Sequence, residues 1–428
     1  MTSQQVLPAS DSNGQGRIFF SPAAKNLRII PGKKNMKLLF ISSEQYPNGG
    51  AAVNRHLAYA KGLEELGHHV SFILLNKQQW KDGQLVEGNI EFLQPAFPDS
   101  SPQSKTGRLT FLLKSIRDAK RKIFAESNKA EPLSVILLDT DIVVLIPLLN
   151  YCKKLDIRVY HERTEYPDVV TGKALLKRVK LFIYLKWVVG RFNGIYVINQ
   201  ALRRYFLEIT NGRLEVWVVN MIVDPSRFNC PERTSDSETV ISYCGTLQGD
   251  KDGVPILVRS FALIASEFPR TRLQLIGSLK DPSTKAQLLT LIKECGVESR
   301  VLLTGAVTRE KIPELLCNSD ILALSRPANK QAEGGFPTKL GEYLATGKVA
   351  VVTAVGEIPR FLTDQKNAFI AEPDSAEKFA EKLKEALLSE ERVKIGLEGR
   401  KLVFDEFNYL AQARVLETRF MEGWISKK

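Results

Sequence analysis

Short apolar runs alternate with amphipathic stretches along most of this chain. The first run, residues 36–42, is followed by a glycine-containing loop and then by apolar residues spaced three or four apart between positions 53 and 63. A second apolar run covers residues 70–75. Runs of this kind are typical of strands buried on both faces of a parallel sheet. The pattern therefore predicts a Rossmann-like strand–loop–helix–strand unit.

The same alternation continues to the end of the chain in two series. Further strands of the first series are predicted at residues 134–138, 158–161, 194–198 and 215–219. The second series begins near residue 239, with strands predicted at 240–244, 273–276, 301–304, 321–324 and 349–353. Strands alternating with helices predict the α/β fold class, and a length of 428 residues allows two or three domains.

The excess of positive charge lies entirely in the first half of the chain. Residues 1–220 contain 31 Lys and Arg against 19 Asp and Glu, a net charge of +12, whereas residues 221–428 contain 29 of each. This asymmetry predicts an anionic partner for the first half, either a membrane surface or a phosphorylated acceptor. Nucleic acid is disfavoured, because the sequence shows no recognition motif and no interleaving of basic and aromatic residues.

Two basic amphipathic stretches lie in this positively charged half. Residues 108–124 and 173–192 mix Leu, Ile, Phe and Trp with Lys and Arg. Each stretch suits a helix that lies in a membrane interface, and each also suits a helix that packs on the core and exposes a basic face. The charge asymmetry favours membrane contact. We accordingly predict a cytoplasmic protein that is peripheral on the inner face of the cytoplasmic membrane.

The N-terminus and the cysteines agree with this location. Residues 1–35 are polar and lack the apolar core of a signal peptide, so we predict a disordered leader. No apolar run is long enough for a transmembrane helix. The five cysteines are scattered and odd in number, which predicts reduced thiols, and no His/Cys cluster indicates a metal.

The most informative segment is residues 326–353. It combines a glycine-rich loop, a helix that opens at Pro337, a turn at Gly347 and a buried strand. Free N–H groups at a helix start bind phosphate, and a carboxylate such as Glu342 can accept hydrogen bonds from a ribose diol. These features predict a nucleotide-sugar site, although an ordinary loop–helix–strand connection would show the same local pattern.

This segment resembles the C-terminal nucleotide-binding motif of GT-B glycosyltransferases, most of all the retaining GT4 family. The family motif places two Glu residues eight positions apart around a Gly-Phe-Gly-type loop. Glu342 matches the second Glu, but eight positions earlier lies Gly334, with Glu333 one step away. The loop resembles a variant in which backbone amides hold the sugar, which implies donor contacts by Arg326, Glu333, Gly334, Gly335, Phe336, Pro337, Thr338, Lys339 and Glu342.

Two further segments resemble donor-binding segments of the same family. Gly49 and Gly50 lie between the first strand and the first helix, where the family has its N-domain glycine loop. Residues 245–253 resemble the family's Gly-Arg-Leu…Lys-Gly segment, which implies that Gly245 and Thr246 contact the donor and that Lys251 holds its diphosphate. Thr246 replaces the family Arg, so we expect Arg326 or Lys339 to supply the missing charge.

The residues after the strand at 158–161 are the predicted sugar and acceptor ligands. In many GT4 enzymes a His at the equivalent strand end lines the donor sugar, which implies that role for His161. Glu162, Arg163 and Glu165 are the candidate acceptor ligands. The Asp139-Thr140-Asp141 sequence matches the metal motif of the other major glycosyltransferase fold, but helix N-capping explains it better.

The resemblance implies a GT-B architecture, with two Rossmann-like domains facing across a cleft. We predict an acceptor domain at 36–222, a donor domain at 223–404 and a C-terminal helix, 405–428, that crosses back to the first domain. Residues 220–228 resemble the family's interdomain signature and are the predicted hinge.

The implied activity is metal-independent transfer, with retention of anomeric configuration, from a nucleotide sugar to a saccharide or lipid-linked acceptor. No cofactor is expected, and the implied catalytic residues are Lys251, His161 and Glu342. Cell-surface polysaccharide or glycolipid synthesis is the expected context. The alternatives are a GT-B-fold sugar-nucleotide epimerase and a degenerate, non-catalytic membrane-associated scaffold.

Overall fold

The computed structural model of the protein describes residues 35–47, 49–78, 84–94, 104–129, 131–171, 174–231, 238–247 and 251–425. The predicted leader, apart from residue 35, lies outside the described residues, as do Asn48, Lys173 and residues 248–250.

Fourteen strands are found in the described part of the chain, in two sheets. The first sheet contains β1 (Lys37–Ser42), β2 (His69–Leu74), β3 (Gln84–Glu87), β4 (Ile90–Leu93), β5 (Leu133–Leu137), β6 (Arg158–Arg163), β7 (Gly194–Val197) and β8 (Val216–Val218). Their order is β3-β4-β2-β1-β5-β6-β7-β8, and every neighbouring pair is parallel except β3 and β4.

The second sheet is parallel throughout. It contains β9 (Thr239–Cys244), β10 (Thr271–Ile276), β11 (Val301–Gly305), β12 (Ile321–Leu324), β13 (Val349–Thr353) and β14 (Phe369–Ala371). Their order is β11-β10-β9-β12-β13-β14. In both sheets the strand order reverses direction in the middle, and such switch points are where α/β proteins bind ligands. The predicted α/β fold class with two parallel sheets is confirmed.

Helices connect the strands and cover the sheets. The α-helices are α1 (Ala51–Glu65), α2 (Lys105–Ser127), α3 (Ile142–Lys154), α4 (Pro167–Thr171), α5 (Leu175–Ile183), α6 (Gln200–Ile209), α7 (Val254–Ala265), α8 (Pro282–Glu294), α9 (Ile312–Cys317), α10 (Lys330–Glu333), α11 (Thr338–Ala345), α12 (Ile358–Phe361), α13 (Ala376–Leu388), α14 (Arg392–Leu402) and α15 (Tyr409–Ile425). Two π-helical turns, Tyr184–Val188 and Val403–Phe407, extend α5 and α14, and 3₁₀ turns lie at Val189–Arg191, Pro225–Arg227 and Glu298–Arg300. Among the described residues, none of the helices combines the length and the hydropathy that crossing a bilayer requires.

The first strand shows why its sequence is apolar throughout. Leu38 and Phe40 point into the cluster that lies beneath α1 and α15, while Leu39 and Ile41 point into the cluster on the opposite face of the sheet. Successive side chains of a strand point to opposite faces, so a strand covered on both sides has no polar position in its middle. The continuous apolar runs of the sequence therefore mark the central strands correctly.

Two chain crossings join the sheets, and they lie side by side. The Val223 N–H donates to the Phe407 carbonyl (2.9 Å), and the Tyr409 N–H donates to the Val223 carbonyl (3.1 Å). Beyond this point α15 packs against α1, where Gly62 lies too close to Tyr409 and Ala413 to carry a side chain. The limits of the acceptor domain, the donor domain and the C-terminal helix remain predictions.

Two features differ from the sequence-based prediction. The antiparallel hairpin β3–β4 was not predicted, because each of its strands has only four residues and no long apolar run. Cys230 and Cys317 form a disulfide, so the prediction of reduced thiols is wrong for this pair, while Cys152, Cys244 and Cys295 are free. The pair is 87 positions apart in the chain, and only the fold brings it together.

Candidate active site

The carboxyl ends of the strands of the two sheets meet at a cleft between them. From the first sheet, the loop after β6 carries Glu165 and Tyr166, and from the second sheet come Lys251 and the loop around Gly334. Lys251 Nζ lies 2.6 Å from the Glu165 carboxylate, so these two predicted site residues meet across the cleft. The ring of Tyr166 lies against Gly334, where any larger residue would collide with it.

A buried cluster of charged and polar groups lies at the end of β9, which we call the Lys339 cluster. It comprises Lys339, Asp252, Tyr243 and Arg326. Lys339 Nζ hydrogen-bonds the Asp252 carboxylate and lies 3.0 Å from Tyr243 Oη, and it lies 4.8 Å from the centroid of the Tyr243 ring. Tyr243 also donates to Asp252 (2.9 Å). Burial lowers the pKa of Lys339, and Asp252 opposes that effect.

Arg326 brings a second cation to the same place. It is 2% exposed, and one of its terminal N–H groups donates to the Gln331 carbonyl (3.2 Å). Burial lowers the pKa of Arg326, whereas the charge of Asp252 raises it. Asp252 therefore acts on both cations, and the carboxylates of Glu165 and Glu342 act on Arg326 and Lys339 respectively. The prediction that Arg326 or Lys339 supplies the charge missing at Thr246 is consistent with this geometry.

Glycine 245 makes room for this cluster. A Cβ on Gly245 would collide with Lys339 Nζ and with Tyr243 Oη. A larger residue at this position would therefore have to displace the Lys339 ammonium group. The neighbouring Thr246 side chain is exposed, and its carbonyl accepts a hydrogen bond from Tyr243 (3.2 Å).

The loop before α11 is fixed from both sides. The Phe336 ring stacks on Phe361 with centroids 5.5 Å apart and meets Phe407 edge-on. Asn199, at the end of β7, donates to the Glu333 carbonyl (2.8 Å). The exposed Glu333 carboxylate accepts only a long hydrogen bond from Tyr166 (3.3 Å) among the contacts described. The Asn199 side chain therefore holds the backbone of this loop to the first sheet.

The helix α11 opens directly beside the Lys339 cluster. Pro337 is its N-cap residue and provides no side-chain hydrogen bond, and Thr338 and Lys339 form the start of the first turn. An uncapped helix start presents N–H groups to an anion. Gly335 lies close to the Arg326 guanidinium, so the loop, the cation and the helix start converge.

Glu342 lies one turn further along α11 and is tied to the predicted hinge. Its carboxylate accepts a hydrogen bond from Arg227 (3.1 Å), whose other terminal nitrogen donates to the Arg309 carbonyl (3.0 Å). Burial raises the pKa of Glu342, and the Arg227 charge opposes this. A ribose that binds Glu342 would have to share or displace the Arg227 contact.

His161 is buried at the carboxyl end of β6 and is neutral. Its Nδ1 donates to the Leu137 carbonyl (2.6 Å), and its ring stacks on Phe192. Burial lowers its pKa to about 3, and the charge of Arg163 acts in the same direction. Nε2 is left as a hydrogen-bond acceptor that no described residue satisfies. The predicted role of His161 on the donor sugar remains a prediction.

Glu162 is the centre of a buried network that the sequence did not reveal. Its carboxylate accepts from Arg55 Nε (2.8 Å), pairs with His56 Nε2 (2.7 Å) and accepts from the Tyr59 hydroxyl (2.8 Å). Tyr46 completes the network by contacting His56 Nδ1 (2.6 Å). These bonds engage both carboxylate oxygens inside the first sheet, which favours a positioning role for Glu162 over the predicted acceptor contact. Arg163 is buried as well, with its guanidinium 5.6 Å from the Tyr184 ring centroid.

Acidification is expected to weaken this network. Burial would raise the pKa of Glu162, but His56 and Arg55 hold it at about 2. A carboxyl whose pKa is lower in the folded chain stabilises the fold above its unfolded pKa of about 4.3, and this contribution disappears as the pH falls through the folded value. We expect the free energy of unfolding to fall by about 3 kcal/mol from this group between about pH 5 and pH 2. Urea unfolding at a series of pH values tests this, and Glu162→Gln should remove that part of the slope.

The remaining predicted residues lie in the loops of the first sheet. Gly50 is the N-cap residue of α1 and is exposed, whereas Gly49 has Val53 and the Gln45 carbonyl where a side chain would lie. Asp141 caps α3 by accepting from the Val143 N–H (3.0 Å), which confirms the capping interpretation. Within the described ranges, no group of three or more His, Cys, Asp or Glu residues is arranged to hold a metal ion.

Comparison with known proteins gives a family match for part of the chain and a fold for most of it. Residues 238–389 match the family described as Glycosyl transferases group 1. A mannosylfructose-phosphate synthase of Agrobacterium fabrum is 26% identical over 157 residues, which span 36% of this chain and a third (33%) of that relative.

Solved structures resemble nearly the whole chain. Sucrose-phosphate synthase of Thermosynechococcus elongatus superposes with a TM-score of 0.73 at 14% identity, covering 92% of this chain and all (100%) of the other. Anabaena HepE in complex with UDP and glucose superposes with a TM-score of 0.66 at 15% identity, covering 91% and 100%. At such low identity these matches show the fold alone, which is the predicted GT-B fold.

Proposed function

We propose that this chain, whose residues 238–389 belong to the Glycosyl transferases group 1 family, moves a sugar from a nucleotide-sugar donor to an acceptor hydroxyl. The observation that carries the proposal is the Lys339 cluster, which places two cations beside an uncapped helix start at the switch point of the second sheet. A diphosphate matches such a site, since its negative charge would pair with Lys339, with Arg326 and with the N–H groups of the helix start.

The residues present can perform the transfer. The bond between the anomeric carbon and the diphosphate oxygen breaks, and a bond to the acceptor oxygen forms. Lys339, Arg326 and the α11 N–H groups would stabilise the charge that develops on the diphosphate, which is usually the largest contribution to catalysis. The acceptor oxygen attacks the face of the sugar from which the diphosphate departs, and its proton passes to that diphosphate. The anomeric configuration is therefore retained. Lys251 would approach the same diphosphate after release from Glu165.

The donor and acceptor classes are part of the proposal. HepE, which shares the fold, was solved with UDP and glucose, and this supports a UDP-sugar as the first donor to test. The acceptor is a saccharide or a lipid-linked saccharide, in the synthesis of cell-surface polysaccharide or glycolipid. Glu165 and Arg163, at the end of β6, are the side chains that would contact it.

A panel of nucleotide sugars tests the donor site directly. We expect one of UDP-, GDP-, ADP- and dTDP-glucose to raise the unfolding temperature, because a ligand at about 100 times its Kd stabilises the native state by about 2.7 kcal/mol. Differential scanning fluorimetry with the purified chain measures the shift. Slow hydrolysis of the same nucleotide sugar, measured as release of the nucleoside diphosphate, would exclude a non-catalytic scaffold. A panel in which no nucleotide shifts the transition would contradict the proposal.

A further inference from the structure

The segment that contains α5 exposes an apolar surface, which we call the α5 surface. It consists of Leu175, Leu176, Val179, Phe182 and Trp187. Leu175 is 77% exposed and Leu176 is 70% exposed, and α5 has no buried residue. The Phe182 and Trp187 rings contact each other edge-to-face with centroids 5.7 Å apart. The other apolar residues lie three or four positions from a neighbour in the set, a spacing that places them on one side of the helix. Five large apolar side chains in one exposed segment indicate an interaction surface.

Contacts with the core of the first sheet and with the start of α3 hold this segment in place. Tyr184, Val188 and Val189 of the following turns are buried in the core of the first sheet. Lys180 forms an ion pair with Asp141 at the start of α3 (2.8 Å). The exposed side chains therefore belong to an anchored element, and their exposure follows from the way that the segment packs.

Basic side chains surround the apolar ones. Lys177, Arg178 and Lys186 are exposed within the segment, and Arg191 follows it. Helix α2 adds exposed Leu109, Leu113 and Phe124, and it packs against α3, which in turn contacts the π-helical turn that follows α5. Both basic stretches of the sequence thus lie on one face of the first sheet, in the half of the chain with a net charge of +12.

We propose that the α5 surface binds an anionic lipid bilayer. Its apolar side chains would enter the boundary between headgroups and acyl chains, Trp187 would lie at the headgroup level, and the basic residues would pair with lipid phosphates. A second copy of this chain fits the surface less well, because a twofold contact would bring the basic residues of both copies together. This inference goes beyond the proposed transfer and does not depend on the donor.

The location of the surface connects it with the cleft. Helix α4 begins directly after Tyr166, which touches the Gly334 loop, and α5 follows α4 closely in the chain. A bilayer bound at the α5 surface would lie close to the loop that carries Glu165. If the proposed function holds, this arrangement brings an acceptor anchored in the membrane to the carboxyl end of β6.

Vesicle sedimentation with the full chain tests the proposal. We expect binding to vesicles of phosphatidylcholine mixed with phosphatidylglycerol, little binding to phosphatidylcholine alone, and weakening by salt. The variant Leu176→Ser/Phe182→Ser/Trp187→Ser and the variant Lys177→Glu/Arg178→Glu/Lys186→Glu should each bind at least about tenfold more weakly. Brominated lipids should quench the fluorescence of the wild-type chain, and Trp187→Phe should remove most of that quenching.

Matched variants on the second half of the chain serve as controls. Leu263→Ser/Leu388→Ser/Val393→Ser changes three equally exposed apolar residues, and Lys285→Glu/Lys366→Glu/Lys401→Glu makes the same change in charge. Both should bind vesicles as the wild type does. Equal binding by the α5 variants, or a concentration-dependent dimer that the α5 variants abolish, would overturn the proposal. Donor hydrolysis should be the same in all these variants, so a failure of the membrane proposal is distinct from a failure of the transferase proposal.

Discussion

Replacing Arg55 with methionine is expected to lower the free energy of unfolding by about 3–5 kcal/mol. Arg55 is 2% exposed and donates to Glu162 (2.8 Å) and to the carbonyls of Val219 and Asn220 (2.6 Å each). Methionine fills much of the same volume, but it leaves the two buried carbonyls without their donor and leaves the Glu162 charge with only His56 and Tyr59 as partners. Such uncompensated groups are the costly outcome when one half of a buried ion pair is removed.

Two further variants make the Arg55 experiment specific. Arg121→Met removes an exposed Arg that pairs with Asp118 on the same helix, and we expect a change below about 0.5 kcal/mol. Arg55→Met/Glu162→Leu removes both charges, so its loss should be smaller than the sum of the two single losses. Equilibrium urea unfolding measures these three variants and the single variant Glu162→Leu. A loss below about 1 kcal/mol for Arg55→Met would show that the network contributes little to stability.

Replacing Lys339 with methionine is expected to lower kcat/KM for the donor by about 100- to 1,000-fold. Lys339 lies in the first turn of α11, and its Nζ lies 4.8 Å from the centroid of the Tyr243 ring. If the donor diphosphate binds there, the variant loses stabilisation of the negative charge that develops on the diphosphate as the sugar is transferred. Kinetics of nucleotide release from the donor identified by the panel measure the effect.

The Lys339 experiment needs a control for folding, because Asp252 would remain buried without its partner. Lys339→Met/Asp252→Asn removes both charges and should regain stability without regaining activity. Lys366→Met changes an exposed lysine far from the cluster in the chain and should behave as the wild type does. Lys251→Ala distinguishes the contribution of Lys251 to activity from that of Lys339. Lys251 is half exposed and is already paired with Glu165. Full activity in Lys339→Met would contradict the assignment of the diphosphate site.

The sequence predicted the strands well because most of them are covered on both faces. Residues 349–353 were predicted as a strand and form β13 with the same limits, and 36–42 differs from β1 by one residue. The hairpin β3–β4 at the sheet edge has no such continuous run, and propensity alone does not mark four-residue strands. The π-helical turns at the ends of α5 and α14 were likewise not predicted.

The sequence predicted the segments that form the site, but it did not predict which side chains contact each other there. The glycine loop, the start of α11 and the positions of Lys339 and Glu342 follow from local pattern and family resemblance. The partners Asp252, Tyr243 and Arg227 do not, because each is brought to its place by a different strand or by the hinge. Arg55 and Glu162 are 107 positions apart, and a buried arginine in a helix has no signature in a single sequence.

The paired crossings between the sheets restrict how the two halves of the protein can move. Val223 is hydrogen-bonded on both sides to the returning chain, at Phe407 and at Tyr409, so sliding of one half along the other would break both bonds. Rotation about a line through the pair preserves them. With residues 220–228 as the predicted hinge, we expect the two halves to rotate about this pair, and we expect the cleft to open only when the Lys251–Glu165 and Asn199–Glu333 contacts break.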